Sequence, residues 1–233
     1  ERTLKAASSW GVISPGMAAE YNAQYGIQCE LLYVGVETDQ CLPPIYFDPS
    51  RVLFTIGSVG SVVSEANWAI LIDAVRQLSG KYPNRKFRIL HLGDLPDHLH
   101  APEVEVKGWI TGQKFREHLA EFDISFLNFW FDSHESSRRI AFPTKAHSYI
   151  EAQRPILAFG PADCSVVRFV QDHQCGVACT VPDSRALAKS IEAFLDGVLY
   201  DKSVESMLTL KQIFSRQAFY EHFERFIMRA VGG

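Results

Sequence analysis

A helix start rich in anion-binding groups occurs at Pro143, Thr144 and Lys145. Proline is favoured at the first helical position because the amide that it lacks would have no partner there. The amides of Thr144 and Lys145 then point out of the helix start, where the helix dipole favours an anion. Lys145 adds a full positive charge, and Arg138 and Arg139 lie just upstream. The segment predicts a seat for a diphosphate, and the alternative is a capped helix with solvated basic residues.

Two further segments follow apolar runs that are typical of strands. Gly57-Ser58-Val59-Gly60-Ser61 comes after the apolar run 52–56, and its small residues predict a loop that cradles a phosphate. It lacks the full glycine pattern of a dinucleotide fingerprint, so a simple tight turn is an equal alternative. Trp109 follows Gly108 after a short strand-like run. Its indole either stacks on a nucleobase or lies buried in the core.

The composition excludes several classes of protein. The 233 residues are 47% hydrophobic and 21% charged with a formal net charge of -4, and no basic stripe indicates nucleic acid as a partner. No apolar run approaches the roughly 18 residues that a transmembrane helix needs. The histidines have no metal-ligand spacing and no Gly-x-Ser-x-Gly elbow occurs. We therefore expect no metal ion, no other bound cofactor and no hydrolase of that kind.

The cysteines and the first residues bear on the origin of the chain. Five cysteines at irregular spacing, without a Cys-x-x-Cys pair, predict small buried hydrophobes in a reducing compartment rather than disulfides. The opening Glu-Arg-Thr-Leu-Lys has neither an initiator Met nor the pattern of a secretory signal. We expect a fragment, or only the ordered residues of a longer protein.

Short apolar runs alternate along the chain with amphipathic helical segments, which predicts crossover connections and a parallel sheet. The expected fold is α/β, a Rossmann-like doubly wound domain from about 48 to 200, with ligands at the carboxyl ends of the strands. Residues 38–50 are the predicted linker, and 132–139 are predicted to be an exposed loop. The predicted strands are 10–14, 31–34, 52–56, 87–92, 104–106, 124–129, 156–159 and 176–180. The predicted helices are 17–25, 64–78, 115–122, 143–152, 166–172, 184–195, 202–213 and 217–230.

The segment from Phe142 to Ala158 resembles a signature of retaining family 4 glycosyltransferases of the GT-B fold. Their donor-site helix typically reads Pro-x-Lys-x-x-Glu-Tyr, then small residues, then Gly-Lys-Pro-Val. The residues that match in register are Pro143, Lys145, Tyr149 and Pro155. Upstream, the residues that fall where this family places its nucleotide loops are Gly57, Gly93 and the run Gly108-Trp109-Ile110.

The resemblance implies the C-terminal half of a GT-B fold. Residues 1–47 would be a remnant of the acceptor-side domain with the linker, 48–200 the nucleotide-sugar-binding domain, and 201–233 the C-terminal helices. The chain would hold a nucleotide-diphosphate sugar and transfer the sugar with retention, usually without a metal ion. The acceptor, a glycan or lipid-linked precursor of a polysaccharide, would contact the missing N-terminal domain. The implied location is the cytoplasm, with peripheral attachment to the inner face of the membrane as a variant.

The resemblance also assigns roles within the donor site. Lys145 and the amides of Thr144 and Lys145, at the start made by Pro143, would hold the diphosphate. The Gly57-Ser58 loop would approach the phosphates, and the segment from Gly108 through Trp109 to Ile110 would frame the base. Arg139 would supply part of the positive charge.

The sequence departs from the family pattern at several of these positions. The family's two glutamates fall at Ile140 and Ser148, so the ribose contact would come from Ser148 or from Glu151, one turn further on. The basic residues that usually follow the first strand are also missing, since the loop has Ser58 there. These losses favour a second function, a degenerate Rossmann-like binding module or scaffold without catalysis. A sugar-nucleotide epimerase of the same fold is a third possibility.

Overall fold

The computed structural model of the chain describes residues 6–132 and 135–232. Their strands form a six-stranded parallel sheet and a separate parallel pair. The pair consists of β1 (Gly11–Val12) and β2 (Glu30–Leu31). The sheet consists of β3 (Leu53–Val59), β4 (Lys86–Leu92), β5 (Val104–Val106), β6 (Ile124–Asn128), β7 (Ile156–Phe159) and β8 (Gly176–Cys179).

Helices connect the strands and flank the sheet. They are α1 (Pro15–Tyr25), α2 (Glu65–Lys81), α3 (Gly112–Leu119), α4 (Glu135–Ile140), α5 (Lys145–Ala152), α6 (Ser165–His173), α7 (Ser184–Glu192), α8 (Gly197–Ile213) and α9 (Arg216–Gly232). Short 3-10 turns occur at Asp97–Leu99 and Ala193–Leu195. Within the described ranges, none of these helices is both long enough and apolar enough to cross a bilayer.

The strand order, β5-β4-β3-β6-β7-β8, is that of a doubly wound Rossmann-like sheet. The chain starts at β3 in the middle, moves outward to β5, and returns to build the other half from β6. The predicted alternation of buried strands and crossover helices is therefore confirmed. The order reverses between β3 and β6, which makes the carboxyl ends of these two strands the topological switch point.

Local sequence signals explain several elements. The Ser64 hydroxyl caps α2 by accepting a hydrogen bond from the Asn67 amide at 3.3 Å, and Asp183 caps α7 in the same way. Helix α2 has an apolar face with the three-four spacing of an amphipathic helix, and this face is buried; its members are Trp68, Leu71, Ile72, Val75 and Leu78.

One predicted loop is a helix. The stretch 132–139 contains α4, while residues 133 and 134 lie outside the described part of the chain. Its polarity suggested an exposed loop, but tertiary contacts stabilise the helix. The Ser14 hydroxyl donates to the Ile140 carbonyl at 2.7 Å, and Arg138 pairs with Asp163 at 3.2 Å. The distant parts of the chain that supply these partners are not visible in the local pattern.

The first and last elements of the described chain lie together. Val36 forms a parallel bridge with Ser215, in which the Val36 amide donates to Phe214 at 2.7 Å and the Arg216 amide donates to Val36 at 2.9 Å. Helix α9 then runs back to the β1–β2 pair, where Arg229 forms an ion pair with Glu30. The chain thus passes twice between the pair and the large sheet, and both passages meet at this bridge.

Candidate functional site

The candidate site lies at the switch point of the sheet. Strands β3 and β6 share ladder positions only at Ile56–Ile124 and Gly57–Ser125, and they diverge beyond these pairs. The start of α5 and the turn after β3 meet at the resulting gap, since Lys145 reaches the residues that follow Val59. This is the place where parallel α/β sheets bind ligands.

Lys145 is the central charged group of this site. Its ammonium donates to the Ser61 carbonyl, and its Cε lies 3.4 Å from the point where a Cβ on Gly60 would stand. Burial lowers the pKa of Lys145 to about 8. Among the described residues, no carboxylate forms an ion pair with it. Burial, with Lys145 as a further cause, also lowers the pKa of the nearby His91. The site therefore carries a positive charge for which the described residues supply no counter-ion.

Two glycines bring the turns after β3 and β4 into backbone contact. Gly60 has φ +73°, and its amide donates to the Leu92 carbonyl at 2.8 Å. A Cβ on Gly93 would stand 2.4 Å from the Gly60 carbonyl oxygen, so only glycine fits there. The Lys145 side chain lies next to Gly60, where an added Cβ would stand 3.4 Å from its Cε.

The predicted phosphate loop begins later than the sequence suggested. Gly57 and Ser58 are not in a loop: they lie inside β3, and Ser58 is 2% exposed. A Cβ on Gly57 would stand 1.9 Å from the Phe122 ring, so packing explains this glycine. The turn itself starts at Gly60. Contact of Gly57 and Ser58 with a phosphate stays a prediction.

Helix α5 also begins later than predicted, at Lys145 rather than at Pro143. Thr144 is its N-cap, and the Ala146 amide donates to the Pro143 carbonyl at 3.1 Å. Within the described ranges, the amides of Thr144 and Lys145 donate to no backbone carbonyl. The two donors that the sequence singled out are thus open at the helix start.

Trp109 lies on the surface, so the alternative of a buried core tryptophan is wrong. Its side chain is 64% exposed, and its indole N–H donates to the Asp94 carboxylate at 2.5 Å. Ile110 turns inward and packs against the core. The segment after β5 therefore presents a flat aromatic face that is fixed at its edge.

Arg139 lies apart from the Lys145 site: it lines a cavity whose lining does not include Lys145. This cavity has a volume of about 280 Å³ and is lined by Arg139, Phe142, Arg168 and Tyr33, among others. The Arg139 side chain lies 3.8 Å from the Asp163 carboxylate, which also pairs with Arg138. The arginines expected to add charge to the diphosphate seat already share an acidic neighbour.

Ser148 and Glu151, the two candidates for the ribose contact, have different surroundings. Burial raises the pKa of the Glu151 carboxyl, while His147 and Arg116 oppose the shift. The Glu151 carbonyl accepts a hydrogen bond from Leu42 at 2.8 Å, which places Glu151 beside the linker. Ser148 lies partly buried on the same helix. Either contact remains a prediction.

Two buried polar side chains that the sequence did not indicate as part of the site connect the elements at the switch point. Asn67, 2% exposed, donates to the Phe129 carbonyl at 2.9 Å and ties α2 to the end of β6. The fully buried Tyr149 hydroxyl contacts both β3 and β6. Its spacing of four residues from Lys145 was the available signal, since such residues share a helix face. Within the described residues, no group of three His, Cys, Asp or Glu side chains could hold a metal ion.

The doubly wound parallel sheet with its flanking helices is the architecture of a Rossmann-like domain of the GT-B type. A family model described as "Glycosyl transferases group 1" matches residues 51–197, and the chain belongs to this family. No curated protein matches it in sequence.

Solved structures share the fold at low sequence identity. The pneumococcal O-GlcNAc transferase GtfA, in complex with UDP and GlcNAc, is similar with a TM-score of 0.67 at 14% identity, over 99% of this chain and 47% of that one. Anabaena Alr3699/HepE, in complex with UDP and glucose, has a TM-score of 0.64 at 16% identity, and the match covers 95% of this chain and 63% of that one. Sucrose-phosphate synthase from Thermosynechococcus elongatus has a TM-score of 0.64 at 15% identity, and the match covers 94% of this chain and 57% of that one. The chain thus spans roughly half to two thirds of the length of these proteins.

Proposed function

We propose that this chain carries the donor site of a retaining glycosyltransferase, which moves a sugar from a nucleotide-diphosphate sugar to an acceptor. The observation that carries the proposal is the partly buried Lys145 at the switch point, whose ammonium donates to the Ser61 carbonyl and has no carboxylate partner among the described residues. Burying a charge is costly unless it is paired, and a bound diphosphate supplies the missing negative charge.

Each part of the donor has a candidate partner. The diphosphate lies on the Lys145 ammonium and on the open amides of Thr144 and Lys145, where the helix dipole adds to the attraction. The base stacks on the exposed indole of Trp109. Ser148 or Glu151 meets the ribose hydroxyls. UDP, which is bound in the GtfA and HepE structures, belongs to this class of ligand.

The acceptor side lies outside this chain in the proposal. A glycan or a lipid-linked precursor binds to a second domain that faces the donor site. The nucleotide sugar places the reaction in the cytoplasm, at the inner face of the membrane when the acceptor is lipid-linked. No metal ion is required, because Lys145 and the helix amides take the charge of the diphosphate.

Calorimetric titration with UDP, GDP, ADP and their sugars tests the donor site. We expect one nucleotide diphosphate to bind, and Lys145→Ala to weaken it at least about tenfold, since charge-assisted hydrogen bonds contribute about 1.5–3 kcal/mol. Lys86→Ala is the matched control, an exposed lysine at the opposite end of the sheet. It should leave the affinity unchanged. A folded chain that binds none of these ligands would instead support the degenerate binding module.

Three additions refine the test. Affinity in EDTA should equal affinity in Mg²⁺ if no metal ion takes part.

A 2′-deoxynucleotide should bind more weakly than the ribonucleotide. Either Ser148→Ala or Glu151→Gln should remove that difference in affinity and so identify the residue that contacts the ribose. In the presence of the acceptor domain, NMR of the product should show the anomeric configuration of the donor. An inverted product would refute retention.

A further inference from the structure

The Tyr149 hydroxyl occupies the gap between β3 and β6. The ring is fully buried, and the hydroxyl donates to the Phe126 carbonyl of β6 at 2.8 Å. It accepts a hydrogen bond from the Val59 amide of β3 at 3.3 Å. Direct pairing of the two strands ends at Gly57–Ser125, so this hydroxyl satisfies two backbone groups that the divergence leaves without a strand partner. We call this arrangement the Tyr149 bridge.

The same helix face that carries the Tyr149 bridge also carries Lys145. The two residues are four apart on α5, and their side chains therefore lie one above the other. Tyr149 contacts Val59, while Lys145 reaches over Gly60 to the Ser61 carbonyl. Two successive turns of the helix thus hold three consecutive residues at the end of β3.

From this geometry we propose that Tyr149 is a positioning residue of the donor site, whose hydroxyl fixes the Gly60 turn and the Lys145 ammonium relative to each other. The expected effect on donor affinity rests on the proposed function. The expected effect on the position of Lys145 concerns the ligand-free protein and does not depend on that function. Without the hydroxyl, the Val59 amide and the Phe126 carbonyl lose their partner, and the end of β3 is free to move away from α5.

Tyr149→Phe tests the proposal because it removes the hydroxyl and keeps the buried ring. Tyr200→Phe is the matched control. Tyr200 is 2% exposed, and its hydroxyl donates to the Asp123 carbonyl, also at 2.8 Å, but at the other end of β6. Both variants lose one tyrosine hydroxyl from the core, so both should lose stability to a similar degree. Only Tyr149→Phe should change the site.

The first measurement follows the ¹³Cε signal of Lys145 through a pH titration of the ligand-free protein. Burial sets the low pKa of this lysine, and His91 is the titratable neighbour that faces it from β4. If the bridge holds the ammonium in place, Tyr149→Phe should move the midpoint upward by about one pH unit as the amine gains water. Tyr200→Phe should leave it at the wild-type value.

The second measurement is affinity for the nucleotide diphosphate that the wild-type chain binds. We expect Tyr149→Phe to weaken it about tenfold, which equals the loss of one to two ordinary hydrogen bonds, and Tyr200→Phe to have no effect. If Lys145 titrates alike in the wild type and both variants, the positioning role is refuted. If no nucleotide binds the wild type, the donor site is refuted, and the Lys145 titration still decides the role of Tyr149.

Hydrogen exchange in the wild-type protein keeps the proposal testable if Tyr149→Phe fails to fold. The Val59 amide should exchange slowly, because the Tyr149 hydroxyl is its acceptor within the gap. Fast exchange of this amide, at a rate typical of the exposed turn that follows it, would overturn the bridge.

Discussion

The amino and carboxyl ends of the sheet both shield an ionisable side chain from water, fully at the amino end and partly at the carboxyl end. At the amino end, Asp123 is 3% exposed just before β6. Its carboxylate lies 2.7 Å from the Arg51 guanidinium and accepts the Thr55 amide at 2.6 Å. Nearby, Arg154 is 1% exposed and donates to several backbone carbonyls, among them that of Phe122 at 2.8 Å.

At the carboxyl end, the buried side of Lys145 faces a backbone carbonyl and two glycine-rich turns. No described carboxylate forms an ion pair with the Lys145 ammonium. At the amino end the buried carboxylate thus has partners within the chain, a guanidinium and a backbone amide, which oppose the burial that raises the pKa of Asp123 to about 6. Within the part of the chain that the structure describes, the carboxyl end supplies no anionic partner for Lys145, which is the property expected of a site that an anionic ligand completes.

The largest expected effect is a loss of stability at the amino end of the sheet that leaves nucleotide binding unchanged. Asp123→Asn removes the carboxylate near the buried Arg154 guanidinium and breaks the ion pair with the partly exposed Arg51, and we expect the free energy of unfolding to fall by about 3 kcal/mol. Urea denaturation measures this loss. Asp73→Asn, which breaks the exposed pair with Arg76, should cost less than about 1 kcal/mol. Nucleotide affinity below the unfolding transition should be unchanged in both variants. A loss of affinity in Asp123→Asn would remove the contrast between the two ends.

A pH series sharpens the contrast at the carboxyl end. Binding requires charged Lys145, whose pKa in the free protein is about 8. Affinity for a nucleotide-diphosphate sugar should therefore fall above this pH by up to about tenfold per unit, because one proton is taken up with the anion. Titration calorimetry between pH 7 and 10 measures it.

Two checks accompany the pH series. Lys145→Met should give a flat profile of affinity against pH at weak affinity, and a flat profile in the wild type would contradict the role of the lysine.

The stability of the free protein should rise with pH where nucleotide affinity falls. The lowered pKa of Lys145 means that the unfolded chain keeps its proton to higher pH, so this residue makes the free protein more stable as pH rises from about 8 toward the ordinary value of 10.5.

The smallest expected effect concerns the base. Trp109→Ala removes an exposed stacking surface, and we expect the free energy of nucleotide binding to weaken by about 1 kcal/mol, the lower end of the range for one stacked base. Stability should not change, since the side chain is 64% exposed. Trp109→Phe keeps an aromatic face but loses the bond to Asp94, and it should lie between the wild type and the alanine variant. Equal affinity in all three proteins would place the base elsewhere.

Much of the fold was predictable because its signals are local. The apolar run 124–129 and the helical segment 64–78 depend on neighbouring residues, and each predicted the element that the structure has there. Helix α4 was missed because partners as distant as Ser14 stabilise it. The site shows the same limit. The spacing of Pro143 and Lys145 indicated an anion seat, but no local pattern shows that Gly57 packs on Phe122 or that the Tyr149 hydroxyl joins two strands.

The bridge between Val36 and Ser215 has a mechanical consequence. Two passages of the chain connect the β1–β2 pair to the large sheet, and backbone hydrogen bonds of 2.7 and 2.9 Å fasten them to each other at one point. Gly35 lets them approach, since a Cβ there would stand 2.4 Å from the Arg216 Cα. Because the two passages are joined there, a movement of the β1–β2 pair relative to the large sheet must carry both passages together, which opposes independent sliding of one passage against the other.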